Sequence, residues 1–182
     1  MTLPRRPQPS KGSKGVALVL VTMAVALLSA LGLALSLLAN IEMRIAGSYS
    51  QAQEAMSAAE TGLELTAHQL VSIADWSGVA SGDIRSAFVD GPPTGSRILA
   101  DGASVSLPGL TSGLGDSSWR LFAHGPAGIW NLPTSEYVVV WARNGASGAM
   151  VLRADALGSN GARRAVQASV TRSRVLSWGE LR

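Results

Sequence analysis

An uninterrupted apolar segment near the N-terminus constrains this chain more than any other feature. The 24 residues Val16–Ala39 include no charged side chain and are mostly Ala, Leu and Val. At about 1.5 Å rise per residue, a helix of this length extends roughly 36 Å, enough to cross a bilayer core of about 30 Å. The sequence therefore predicts a membrane-spanning helix to which the rest of the chain is attached.

The net charge of +3 is unevenly distributed along the chain. Residues 1–15 have four basic side chains and no acidic one, whereas the remainder has slightly more acidic than basic residues. Basic residues beside a membrane helix stay in the cytoplasm, so we expect a cytoplasmic, disordered leader and an outer C-terminal part. The high pI reflects this leader, and nucleic acid is not an expected partner.

Two other interpretations of the apolar segment remain open. Ala24–Val25–Ala26 matches the Ala-x-Ala pattern of a secretory signal. Cleavage there would leave Leu27–Ala39 as an apolar N-terminus, which disfavours this interpretation. The second alternative is an uncleaved anchor that spans the membrane once.

Small residues follow one another at three- and four-residue spacing along one face of the predicted helix. Such a face lets helix backbones approach closely in lipid. We therefore predict a helix-packing seam formed by Thr22, Ala26, Ser29, Gly32 and Ser36.

The helical pattern continues beyond the membrane segment, through residues 41–71. Two rows of residues repeat every seven positions, as expected for a helix with an apolar stripe along one side. One row is Ile45, Ala52, Ala59 and Thr66, and the other is Tyr49, Met56, Leu63 and Leu70. Gly62 interrupts this stretch and is predicted to mark a bend.

Three segments of this region carry a family resemblance: Gly15–Leu20, Glu42–Gly47 and Gln53–Leu63. They resemble the N-terminal region of PilX-like minor type IV pilins over about residues 14–65. The resemblance implies cleavage by prepilin peptidase after Gly15 and methylation of the new N-terminus at Val16. It also implies that the protein is inserted in the inner membrane and later lies in the pilus. The partners that it implies are other pilins and minor pilins, prepilin peptidase and the inner-membrane assembly platform.

One position departs from the pattern of major pilins. They have Glu at the fifth mature position, where this chain has Leu20. An unpaired charge in an apolar filament core is costly, so a subunit with this Glu neutralises the terminal amine of a neighbour. A subunit without it suits a tip or priming position.

The outer residues 72–182 are predicted to form a β-rich domain. Alternating apolar residues and Gly-containing turns predict an antiparallel three-stranded meander at Tyr137–Arg143, Ala149–Leu157 and Arg163–Arg172. Shorter strands are expected in the Gly- and Pro-rich part, at Ser96–Leu99, Ala103–Leu107 and Trp119–Ala123. The expected fold is α+β and pilin-like, with the long N-terminal helix packed on an antiparallel sheet.

No pattern of catalytic residues is present, so the chain is not expected to be an enzyme or to need a cofactor. There is no Cys. His68 is expected on the polar side of the helix and His124 in a loop, neither with a second ligand at metal-binding spacing. The loop aspartates are too dispersed for a compact calcium loop, although an isolated calcium site stays open. Single Trp residues are expected to pack in or at the rim of the core.

The expected organisation is a leader at 1–15, a transmembrane half-helix at 16–40, an amphipathic half-helix at 41–71 and an outer head at 72–182. The leading interpretation is a minor pilin that helps prime or cap a type IV pilus. The alternatives are an uncleaved envelope protein with an outer binding domain and a tip pseudopilin of a type II secretion system.

Overall fold

The computed structural model describes residues 13–172 and 174–181; residues 1–12 of the predicted leader lie outside them. The first element, α1, runs from Ser13 to Ser72. The chain divides into two compact units between Ala46 and Gly47. In the described part of the first unit every residue is helical, and every side chain from Gly15 to Ala46 is exposed.

Besides the end of α1, the described residues of the second unit form two short α-helices, three short 3₁₀ helices and seven strands. A five-stranded antiparallel sheet has the strand order β3-β4-β5-β6-β7, and β1 pairs with β2 in a separate hairpin. The bounds of these elements are α2, Trp76–Ser81; β1, Ser96–Ile98; β2, Ser104–Ser106; α3, Leu107–Ser112; β3, Arg120–Pro126; β4, Tyr137–Asn144; β5, Met150–Leu157; β6, Arg163–Val170; and β7, Val175–Leu181. The predicted α+β class, a long helix with an antiparallel sheet, is confirmed.

The sheet contains more strands than the sequence predicts. β4, β5 and β6 correspond to the predicted meander, and β3 and β7 extend it on either side. The turns β4–β5 and β5–β6 share one conformation, in which Ser147 and Asn160 have a φ of 55° and the Gly that follows also has a positive φ. Gly adopts this backbone without strain, which explains its place at position 148 and again at 161.

Both faces of the sheet are covered. Val140, Leu152 and Val166 belong to a core cluster shared with α1 and α2, whereas Val139 and Trp141 belong to a second cluster shared with Leu107 of α3. Along β4 the two clusters alternate residue by residue, which is the period expected of a strand. The second unit is therefore a three-layer structure of helix, sheet, and a cover made by the β1–β2 hairpin and α3.

One charged cluster lies on the cover side of the sheet. The Asp155 side chain is fully buried and accepts a hydrogen bond of 2.8 Å from Nε of Arg153. Arg163, on the neighbouring strand β6, pairs with the other oxygen of Asp155. Because buried charges need partners, these two arginines explain how an aspartate is accommodated at the centre of β5.

Candidate functional site: the N-terminal helix

The predicted processing junction lies in the first turn of α1. Gly15 is the third residue of this helix and is exposed, and Val16 is 61% exposed. No heavy atom lies within 4 Å of the position that a Cβ on Gly15 would occupy. The space beside Gly15 is therefore not occupied by other parts of the described chain.

The apolar side chains that follow this junction are also exposed. Leu18, Leu27 and Leu33 are each about two-thirds exposed, and α1 is long and apolar enough to cross a membrane. A continuous apolar surface of this size is unfavourable in water and marks contact with lipid or with other proteins. Leu20 belongs to the same surface and is 62% exposed.

All five residues of the predicted seam are exposed. Thr22 Oγ1 donates a 2.9 Å hydrogen bond to the carbonyl of Val19, so its hydroxyl is satisfied within the helix. A Cβ on Gly32 would meet no heavy atom within 4 Å. Nothing in the described chain therefore requires a glycine at this position, and its role in a packing seam stays a prediction.

The predicted apolar stripe changes its surroundings along the helix. Ile45 is 64% exposed, Ala52 and Met56 are partly buried, and Ala59 and Leu63 are completely buried in the core. Sequence reasoning included Leu70 but missed three further residues of the buried face: Ala55, Ala58 and Ala67. Their spacing of three and four residues is the signal that could have identified the face.

Gly62 lies where α1 packs on the sheet. A Cβ at residue 62 would lie 2.5 Å from Cγ1 of Val138, a fully buried residue of β4. α1 continues as one helix through this residue, and the bend predicted there stays a prediction. The glycine allows the helix and the sheet to come into contact.

The two histidines have different environments. His68 is exposed on α1, as expected, but the prediction of a loop for His124 is wrong, because this residue is buried in β3. Its Nδ1 lies 2.9 Å from the Tyr137 hydroxyl, and its Nε2 has no hydrogen-bond partner among the described residues. Burial and the nearby Arg97 lower the pKa of His124.

Burial also affects Tyr137 beside it. Removal from water, together with the charge of Asp90, raises the pKa of Tyr137 to about 12, and its hydroxyl lies 3.4 Å from Asp90 Oδ2.

Over residues 13–172 and 174–181, no group of three or more His, Asp or Glu residues is arranged to hold a metal ion.

Comparison with known proteins concerns the N-terminal part of the chain. Residues 14–64 match the family model described as PilX N-terminal. No curated protein and no solved structure matches the chain. The predicted resemblance of this segment to PilX-like pilins is confirmed, and the matched residues cover the junction, the apolar segment, the seam and most of the buried face of α1.

Proposed function

We propose that this chain, whose N-terminal region is that of a PilX-like pilin, is a minor pilin that helps prime or cap a type IV pilus. The observation that supports this most directly is the match over residues 14–64, which includes Gly15, Val16 and the exposed apolar helix after them. An uncharged, exposed helical segment such as Val16–Ala39 suits a subunit that passes from lipid into a filament core.

Prepilin peptidase would cleave after Gly15, and the new amine at Val16 would be methylated. The exposure of both residues is compatible with this processing. The protein would then leave the inner membrane through contacts with other pilins, with the head on the outer side. Leu20 cannot neutralise the terminal amine of an adjacent subunit, so it favours the end of a filament over its shaft.

The decisive measurement is the mass and N-terminal sequence of the protein from cells with and without active prepilin peptidase. We expect a mature start at N-methylated Val16 that is lost without the peptidase. A Gly15→Leu variant should keep the leader in both strains, and Gly47→Leu, far from the junction in sequence, serves as its control. An intact Met1 in both strains would contradict the pilin function and support an uncleaved anchor.

A further inference from the structure

The last strand of the head, β7, lies at one end of the sheet. It pairs with β6 on one side, and within the described residues no strand pairs with its other side. An edge strand presents backbone N–H and C=O groups to which another extended chain can add, and proteins commonly protect such edges with Lys, Pro or a bulge. β7 contains no Lys or Pro, and its pairing with β6 is regular from Ser177 to Leu181. Three of its apolar side chains are half-exposed: Val175, Leu176 and Trp178.

A groove lies between β7 and the C-terminal part of α1. It has a volume of about 460 Å³, within the usual range of ligand sites, and all of its lining residues belong to the second unit. Val71 of α1 lines one side, and Val175 and Trp178 line the other. These three side chains are half-exposed, so a ligand in the groove can touch them. The groove is therefore an accessible apolar site beside an edge strand.

Two arginines line one end of this groove, in the turn between β6 and β7. The turn is fixed, because the amide and the hydroxyl of Thr171 donate hydrogen bonds of 2.8 and 2.9 Å to the carbonyl of Arg174. Arg172 Nη2 donates to the carbonyl of Ala74, and its Cζ lies 5.1 Å from the centre of the Trp76 ring. In the part of the chain that the structure describes, neither arginine forms an ion pair. This end of the groove thus holds two exposed cations in a defined place.

The charge of the groove changes sign along its length. Its arginine end lies beside the end of α1, where Arg172 makes its hydrogen bond. Glu64, which also lines the groove and is exposed, precedes Val71 by about 10 Å along the helix. Glu180 lies at the end of β7 that is farther from Arg174. An extended ligand with one negative end therefore fits in one direction, with that end beside the arginines.

We propose that the groove binds the carboxyl-terminal end of another polypeptide, which adds to β7 as an antiparallel strand. Strand addition gives affinity through backbone hydrogen bonds and specificity through contacts of alternate side chains. Apolar side chains of the added strand contact Val71 and Trp178, and its terminal carboxylate accepts hydrogen bonds from Arg172 and Arg174. The antiparallel direction follows because the arginines lie at the start of β7, where an antiparallel strand ends.

The test uses the full-length protein in detergent micelles and the N-acetylated hexapeptide Thr-Val-Thr-Val-Thr-Val with a free carboxyl terminus. NMR signals of the Trp178 indole and of the β7 amides should shift saturably. The C-terminal amide of the same peptide should bind about tenfold more weakly, and Arg174→Gln should remove most of this difference. Arg164→Gln, which removes an exposed arginine outside the groove, should leave the difference unchanged.

Alternate N-methylation of the peptide tests whether it binds as a strand. Successive amides of a strand point to opposite sides, so only every second one can donate to β7. Methylation of the first, third and fifth residues and methylation of the second, fourth and sixth should therefore differ, with binding lost in one peptide and kept in the other. Acetyl-valine, which has the same terminal carboxylate but cannot form a strand, should bind at least about tenfold more weakly than the hexapeptide.

Four results would each overturn the proposal: no shift in the wild-type protein, equal binding of acid and amide, equal binding of the two methylated peptides, or acetyl-valine binding as tight as that of the hexapeptide. None of these measurements depends on cleavage after Gly15 or on a place in a pilus. The groove and the proposed function can therefore fail independently.

Discussion

At the residue scale, Gly62 is the position where side-chain size decides whether helix and sheet fit together. Its α-carbon faces Val138 so closely that a methyl group would lie 2.5 Å from Cγ1 of that residue. Valine is stiff at χ1, and Val138 is completely buried, so it has little room to move aside. The sequence alone shows only a glycine in a helix, so the contact with Val138 could not be predicted from it.

Replacement of Gly62 by Ala should therefore destabilise the head. Overpacking costs about 1–3 kcal/mol, which exceeds the gain of about 1 kcal/mol in helix propensity. Gly47→Ala is the matched control, because a Cβ at Gly47 meets no heavy atom within 4 Å. This substitution should therefore give only the gain in helix propensity. Urea unfolding in detergent measures the free energy of unfolding of both variants. Equal stabilisation by the two substitutions would show that the close approach to Val138 is not limiting.

His124 makes the stability of the head depend on pH. Its pKa is lowered in the folded state, first by burial and then by Arg97. The unfolded chain therefore binds a proton more readily than the folded head, and acidification below about pH 6.5 favours unfolding. The lowered pKa values of Asp75, Asp101 and Asp116 have an effect of the same sign at lower pH, since acidification below about pH 4 protonates these carboxylates more readily in the unfolded chain.

We expect the thermal midpoint of the wild-type head to fall between pH 7 and pH 5. The fall should be smaller in His124→Gln, which has no group that titrates in this range, and should persist in His68→Gln, where an exposed histidine is lost. Calorimetry at several pH values measures the difference. A fall of the same size in wild-type protein and His124→Gln would assign the effect to another group.

At the scale of elements, the long helix and the central strands could be predicted because their apolar patterns are repeated over many residues. Val-rich β4 and the alternation in β5 and β6 identify strands, and Gly148 and Gly161 place the turns between them. By contrast, β7 was not predicted. It pairs with β6 on one edge only, and six of its seven residues are exposed. Its sequence therefore shows no alternation of buried and exposed positions that would identify a strand.

The irregular region before β3 was less predictable for a different reason. The strands β1 and β2 overlap those predicted at Ser96–Leu99 and Ala103–Leu107, but three residues in each are too few to predict how the hairpin packs. Its role as a cover depends on tertiary contacts of Leu99, Val105 and Leu107 with the sheet. The buried position of His124 likewise depends on β4 and on Phe88, whose carbonyl accepts a 3.0 Å hydrogen bond from the His124 amide.

The exposed face of small residues on α1 leads to a prediction about helix packing. Ser29→Leu and Gly32→Leu should reduce incorporation into pili while leaving membrane insertion intact, because larger side chains hold neighbouring helices apart. Ala24→Leu is the matched control, since the 3.6-residue repeat places it on the opposite side of the helix. Immunoblots of sheared filaments and membrane fractions measure both properties. Normal incorporation of both variants would show that the small residues are only compositional.

At the scale of the whole molecule, Leu20 tests the proposed position of the subunit in a filament. Leu20→Glu restores the carboxylate that major pilins have, and we expect the subunit to move from the filament end into the shaft or to alter the number of pili. Leu20→Ile, which keeps the residue apolar, should behave as the wild type. Immunogold labelling shows the position along the filament. Unchanged location and piliation of Leu20→Glu would remove any special role for the missing charge.

The order of strands in the sheet has a consequence for synthesis. Each strand from β4 to β7 pairs with the strand that precedes it in the sequence, so each can pair as soon as it is synthesised. Short connections between consecutive partners keep the entropy of loop closure low, which favours rapid folding. The sheet can therefore form in the order in which its strands are synthesised, with β7 added last at one edge.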